Sequence, residues 1–234
     1  NLNKGESREP WFSNEELHGS GIEIINRLKN IIFNTTSVQT NDALKNYGTY
    51  YIENAVIYRT PIQSTLKAVL NGLTFGQFAK NVKEHYDDVY HLYCIFHLSK
   101  AGSPDAYLLT EKTPNIVWEK RQGLASGQSN TTPFGVSFFS MENKVLFSEM
   151  IMRSMNRDGE DFHKYTPDEF NCQHYILSLF KSIYQPNAVP KDIYNFIYQD
   201  PQLLFKDTGV ASTVANAVTS LGHIVGRIAG KGEY

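Results

Sequence analysis

Thr166-Pro167-Asp168-Glu169-Phe170-Asn171-Cys172-Gln173-His174-Tyr175-Ile176-Leu177-Ser178-Leu179-Phe180-Lys181-Ser182-Ile183 is the stretch whose reading decides the fold. Two helix starts are written into it. Thr166 with Pro167 and Glu169 has the form of a capping box with proline at the first helical position. Asn171 is a second candidate N-cap. Beyond it Cys172, Ile176, Leu179 and Ile183 recur at helical spacing, widened by Tyr175 and Phe180. The spacing predicts a helix with a cysteine near its start, on the face that turns inward. Uncommitted N–H groups and the helix dipole favour an anion there, and a thiolate is an anion. The plainer alternative is a cysteine that serves as a small buried hydrophobe.

The chain around this stretch has 234 residues, 41% hydrophobic and 20% charged, which suits one folded domain with appended arms. Its 14 Tyr and 14 Phe predict an aromatic-rich core. A net charge of -2 argues against a broad nucleic-acid surface, which needs a basic excess. Two cysteines, Cys94 and Cys172, make no disulfide framework, so a reducing compartment is expected. There is no Cys-x-x-Cys pair, and His85, His91 and His97 are spaced by six, which fits no common zinc pattern; no metal or other cofactor is expected. No apolar run is long enough to span a bilayer, and no signal peptide is evident. The first residue is Asn, so a trimmed or incomplete N-terminus is expected.

Three regions follow from the pattern. Residues 1–48 read as an arm (1–18), a Gly19-Ser20-Gly21 hinge, a helix marked by Ile22, Ile25, Leu28, Ile31 and Ile32, and a polar loop over 34–48. Residues 49–205 read as an α+β body. Thr49–Arg59 has strand composition. Thr60 and Pro61 then have the form of a helix cap and first turn, leading to Leu66, Val69, Leu70 and Leu73. A short polar piece, 80–88, leads to the strongest strand, Val89–Leu98. Ala106–Lys112 and Ile116–Lys120 return it as an antiparallel meander. Residues 122–133 are expected to be mobile, and Val136–Phe139 is a candidate fourth strand. Met141–Met155 reads as a helix stopped by Asp158-Gly159. Ile193–Ile197 and Leu203–Phe205 read as short packed segments. Residues 206–234 form a tail whose Val210, Val214, Val218, Leu221, Ile224, Val225 and Ile228 mark a helix rich in small residues. With Arg227 and Lys231 as the only Lys or Arg beyond Lys206, that tail is a thin case for contact with an anionic membrane surface.

A thiol nucleophile needs a base and a group to orient that base. In the strongest strand, His91, Tyr93, Ile95 and His97 share one face and Cys94 takes the other. Cys94 is therefore expected in the core. His91 and His97 lie about 20 Å apart along an extended strand, so only one of them can meet a helix N-terminus. Glu111, near the end of the return strand, is placed to take the other ring nitrogen of His91; otherwise it is an exposed strand-end charge. His174, two residues past the cysteine, points away from it around the helix.

Asn171-Cys172-Gln173-His174-Tyr175-Ile176 resembles the Asn-Cys-x-His-Phe motif of the lecithin:retinol acyltransferase group. It is closer still to the Asn-Cys-Gln-x-Phe-Ile of permuted papain-like, NlpC-type proteins encoded by large DNA viruses. Three further pieces are similar to those proteins: Arg59-Thr60-Pro61-Ile62 with Thr74-Phe75-Gly76; Tyr86-Asp87 with His91-Leu92-Tyr93; and Tyr107-Leu108-Leu109-Thr110-Glu111-Lys112. Thr110 departs from the pattern, which has an apolar residue there. The resemblance covers roughly residues 50–200 and implies a permuted papain-like fold, an antiparallel sheet laid against the cysteine helix. It implies Cys172 as nucleophile, His91 as base and Glu111 as orienting group. It also implies a viral setting, in the virion or the host cytoplasm, with other virion or capsid proteins as partners through the terminal arms. The expected activity is that of a cysteine hydrolase or acyltransferase. The alternative is a minor capsid or other structural virion protein that keeps the fold without turnover.

Overall fold

A computed structural model of the chain describes residues 38–62, 67, 70–71, 74–113, 115–138, 144–165, 170–204 and 206–208. The arm, hinge and helix expected before residue 38, the capping box at 166–169 and most of the tail lie outside the described residues.

The fold is α+β, built on a five-stranded antiparallel sheet. The strands are β1 (Tyr51–Pro61), β2 (Tyr90–Ser99), β3 (Ala106–Lys112), β4 (Ile116–Arg121) and β5 (Thr132–Ser137), in the order β4-β3-β2-β1-β5. The meander β2-β3-β4 follows from alternation and from turn residues in the loops. The strand expected at 136–139 instead runs over Thr132–Ser137 and pairs with β1 at the far edge. Pro133 lacks an N–H, which an edge strand tolerates. Thr60 and Pro61 continue the β1 ladder opposite His91 and Tyr90, so Thr60 is a strand residue and not a helix cap.

Six α-helices are present among the described residues: α1 (Val38–Tyr47), α2 (Gln77–His85), α3 (Phe147–Asp158), α4 (Cys172–Tyr184), α5 (Lys191–Ile197) and α6 (Pro201–Leu204). Two of them correct the sequence reading. Residues 38–47 are not loop: Thr40, Ala43 and Leu44 are buried, and Gln39 accepts from the Trp118 backbone at 3.3 Å, so packing on β4 overrides a weak local propensity. Residues 77–85 are helical because Phe78 and Asn81 turn inward, Asn81 being satisfied by the Leu204 and Lys206 carbonyls. The helix expected from 141 begins at Phe147; Val145 and Leu146 precede it, the Val145 carbonyl accepting from the Ile52 N–H. No helix among the described residues is long and apolar enough to cross a membrane.

The main core lies between one sheet face and α3 and α4. Ala55 and Ile57 of β1, Leu92, Cys94 and Phe96 of β2, and Leu108 of β3 meet Met150, Ile151, Ile176, Leu179 and Phe180. Helix α4 carries more than the expected stripe. Ser178 and Ser182 are buried against α3, where Ser154, Arg157 and Asp158 hydrogen-bond with them. The opposite sheet face is covered in part by residues 122–131. This loop is tied down and not free: the Tyr58 hydroxyl donates to the Leu124 carbonyl at 2.6 Å and the Tyr93 hydroxyl to Ser126 Oγ at 2.8 Å. Tyr58 and Tyr93 stack with ring centroids 5.1 Å apart.

Candidate active site

Helix α4 begins at Cys172 because Asn171 caps it. The Asn171 side-chain oxygen accepts from the N–H groups of Gln173 (2.9 Å) and His174 (3.2 Å). This fixes Cys172 in the first turn, where its side chain is 6% exposed. Tyr175 anchors the same turn to the sheet by a 2.8 Å hydrogen bond with Thr110, which itself donates to the Val117 carbonyl at 2.9 Å. Thr110 is thus a fully buried polar group with its own partners.

His91 lies two residues past the last pair of the β2–β3 ladder, Tyr93 with Glu111. At this end of the sheet its imidazole lies near the first turn of α4, close enough to Cys172 for the charge of the sulfur to act on it. Nε2 of His91 and Oε2 of Glu111 are 2.8 Å apart. The structure therefore brings Cys172, His91 and Glu111 together, His91 and Glu111 by a hydrogen bond and Cys172 by its charge on the ring, with the His91 side chain 15% and that of Glu111 21% exposed. Burial disfavours the His91 imidazolium. The charge of the neighbouring Cys172 sulfur, and the hydrogen bond and charge of Glu111, outweigh burial and push its pKa up to about 10.

The other candidates separate from this run. Cys94 is fully buried under α4, and burial pushes its thiol well up. His97 pairs with Asp105 at 2.9 Å and stacks on Tyr107, away from the cysteine. His174 Nδ1 lies 3.1 Å from Asn171 Oδ1 and its ring meets the edge of Tyr198. Both cysteines are free.

Three residues near the site were not singled out from the sequence. Lys112 is 2% exposed and donates to the Phe162 (2.8 Å) and Asp161 (3.3 Å) carbonyls. Burial pulls its pKa down to about 8 against the opposing charges of Asp158, Asp161 and Cys172. Alternation gives the signal: Lys112 shares the inward face with Thr110 and Leu108, and an inward charge on a strand asks for an explanation. His163 is pulled down to about 4 by burial and by Lys112. Tyr165 lies close enough to Cys172 that burial and the sulfur's charge push its phenol up. Nothing in the surrounding sequence marks these last two.

No family model matches the chain, and no curated protein and no solved structure matches it either.

Proposed function

We propose that the chain is a papain-like thiol hydrolase or acyltransferase with Cys172 as nucleophile, His91 as base and Glu111 as the group that orients the imidazole. The observation that carries this reading is the meeting of the three groups at one end of the sheet: Glu111 hydrogen-bonded to the His91 ring, and the Cys172 sulfur close enough for its charge to act on that ring. A thiolate at a helix start, beside a cation and with a third group fixing the ring, is the arrangement that acyl transfer through a thioester requires. The thiolate attacks a carbonyl carbon, and the backbone N–H of Cys172 helps to hold the oxyanion. The imidazolium gives its proton to the leaving group. The imidazole then takes a proton from water, or from an acceptor alcohol or amine, as that molecule displaces the thioester and frees the thiolate. The permuted papain-like fold and the viral setting rest on the sequence resemblance, as do the virion or capsid partners.

A generic activated ester tests the chemistry without knowledge of the substrate. With p-nitrophenyl acetate, one equivalent of p-nitrophenolate should appear as a burst, with an acetyl group on Cys172 found by mass spectrometry. C172A should abolish the burst. H91A should slow it by about 10²-fold or more. A burst that survives C172A, or an acetyl group found elsewhere, would refute the reading. A second reading, a structural subunit without turnover, is favoured by the near-closure of Cys172, at 6% exposure. It predicts no burst in the wild type, and assembly with its partners unaffected by C172A.

A further inference from the structure

The residue after the nucleophile and the residue before the base are joined by buried amides. Gln173, next to Cys172, is 5% exposed, and Gln199, between α5 and α6, is 2% exposed. The Gln199 N–H donates to Gln173 Oε1 at 2.7 Å. Gln173 Nε2 approaches Gln199 Oε1 at 3.5 Å. The same Gln199 Oε1 accepts from the Tyr90 N–H at 3.1 Å, and Gln199 Nε2 donates to the Asp88 carbonyl at 2.5 Å. One side chain therefore holds the chain on both sides of Val89 and passes that hold to the first turn of α4. The Asp200 N–H donates to the Tyr86 hydroxyl at 2.6 Å, which fixes the segment carrying Gln199 from the other side.

We propose that Gln199, acting through Gln173, is the positioning residue that sets the separation of the Cys172 sulfur and the His91 ring. The proposal rests on the reading of that pair as nucleophile and base. From sulfur to imidazole the path runs Cys172, Gln173, Gln199, Tyr90, His91, and every non-covalent link in it is a hydrogen bond of a buried amide. Such groups hold geometry tightly, because a displaced one leaves a buried donor or acceptor unpaired. Two further ties of α4 to the sheet, Tyr175 to Thr110 and the apolar packing of Phe180 on Phe96, act at the β3 and mid-strand positions. Neither bears on the segment before His91. Two glutamines are used where an apolar pair would fill the same space, and they bind backbone that no strand partner on that side takes up.

The test is the His91-dependent part of Cys172 alkylation by iodoacetamide at about pH 6.5, taken as the rate with His91 divided by the rate in H91A. It is measured in full-length wild type, Q199M, Q173M and the double variant, with thermal unfolding followed in parallel. Methionine keeps the volume and removes the amide. The ratio should fall about tenfold in Q199M while unfolding stays cooperative, and the double variant should lose no more than the worse single one. A Q199M ratio equal to that of wild type overturns the proposal, whatever the change in melting temperature. So does a double variant whose losses add. If Q199M does not fold, Q173M and the milder Q173N answer the same question from the other side of the bracket. Failure of all of them to fold makes the amides a folding element and also overturns the proposal. A wild-type ratio near one is a different result: it sinks the nucleophile–base pair itself.

Discussion

At His91 three influences compete, and the charged neighbours win over burial. A histidine whose folded pKa is raised from 6.5 to about 10 binds its proton more tightly in the native state. Its contribution to stability is fully present below about pH 6.5 and is lost as pH rises through about 10. Lys112 works in the other direction: lowered from 10.5 to about 8, it penalises the native state below about pH 8 and relieves that penalty above it. His163, lowered to about 4, penalises the native state on the acid side and ceases to do so by about pH 6.5. Between about 8 and 10 the first two oppose each other. The urea midpoint should therefore rise from about pH 4 to 6.5, fall between 6.5 and 8, and level off beyond. H91N should remove the fall and H163N should shrink the rise; a midpoint that climbs steadily through pH 8 in wild type would contradict this assignment. Turnover and alkylation should also part company. Acyl transfer needs the imidazolium to protonate the leaving group, so it should fail above about pH 10. Alkylation needs only the thiolate and should continue, which a pair of pH–rate curves will decide.

At the scale of elements, α4 is held at its start by a cap, near its first turn by a buried polar pair, and along its length by core packing. N171A should cost about 1 kcal/mol in urea unfolding through the lost cap. T110V should cost about 1–3 kcal/mol because it strands the Tyr175 hydroxyl, and adding Y175F should return much of that loss. An additive double variant would mean that the two hydroxyls are not coupled. The same helix shows why some of the structure was legible. Asn171 and the Cys172, Ile176, Leu179, Ile183 spacing are local signals, and the helix formed where they placed it. Strands β2, β3 and β4 were legible for a similar reason, since alternation and turns are short-range. Helix α1 was hidden because Thr40, Asn41 and Asp42 carry little helical preference, and contact with β4 and α3 selects the helix. Helix α2 was hidden by Asn81, a polar residue on the inward face whose partners lie at 204 and 206. In the site, His91, Glu111 and Cys172 could be named from spacing and resemblance. Alternation marks Lys112 as an inward charge, but its partners, like those of Gln199, are backbone groups of distant segments that no local pattern announces.

At the scale of the whole molecule, the sheet divides the chain into a thick side, with α3 and α4, and a thin side covered by the 122–131 loop. Two tyrosine hydroxyls hold that loop. Y58F with Y93F should leave the core intact and raise the rate of limited proteolysis within residues 122–131 by roughly tenfold, the equivalent of about 1.4 kcal/mol of local opening. Cleavage at an unchanged rate would show that the apolar contacts of Leu124 suffice. The burial of Cys94 at the centre of the thick side has a consequence for how the protein can be watched. A pulse of thiol reagent meets one sulfur that is slightly open to solvent and another that is reached only when the layers part. Doubly labelled molecules therefore count global opening events, singly labelled ones count visits to the site, and intact-mass spectra of one sample report both.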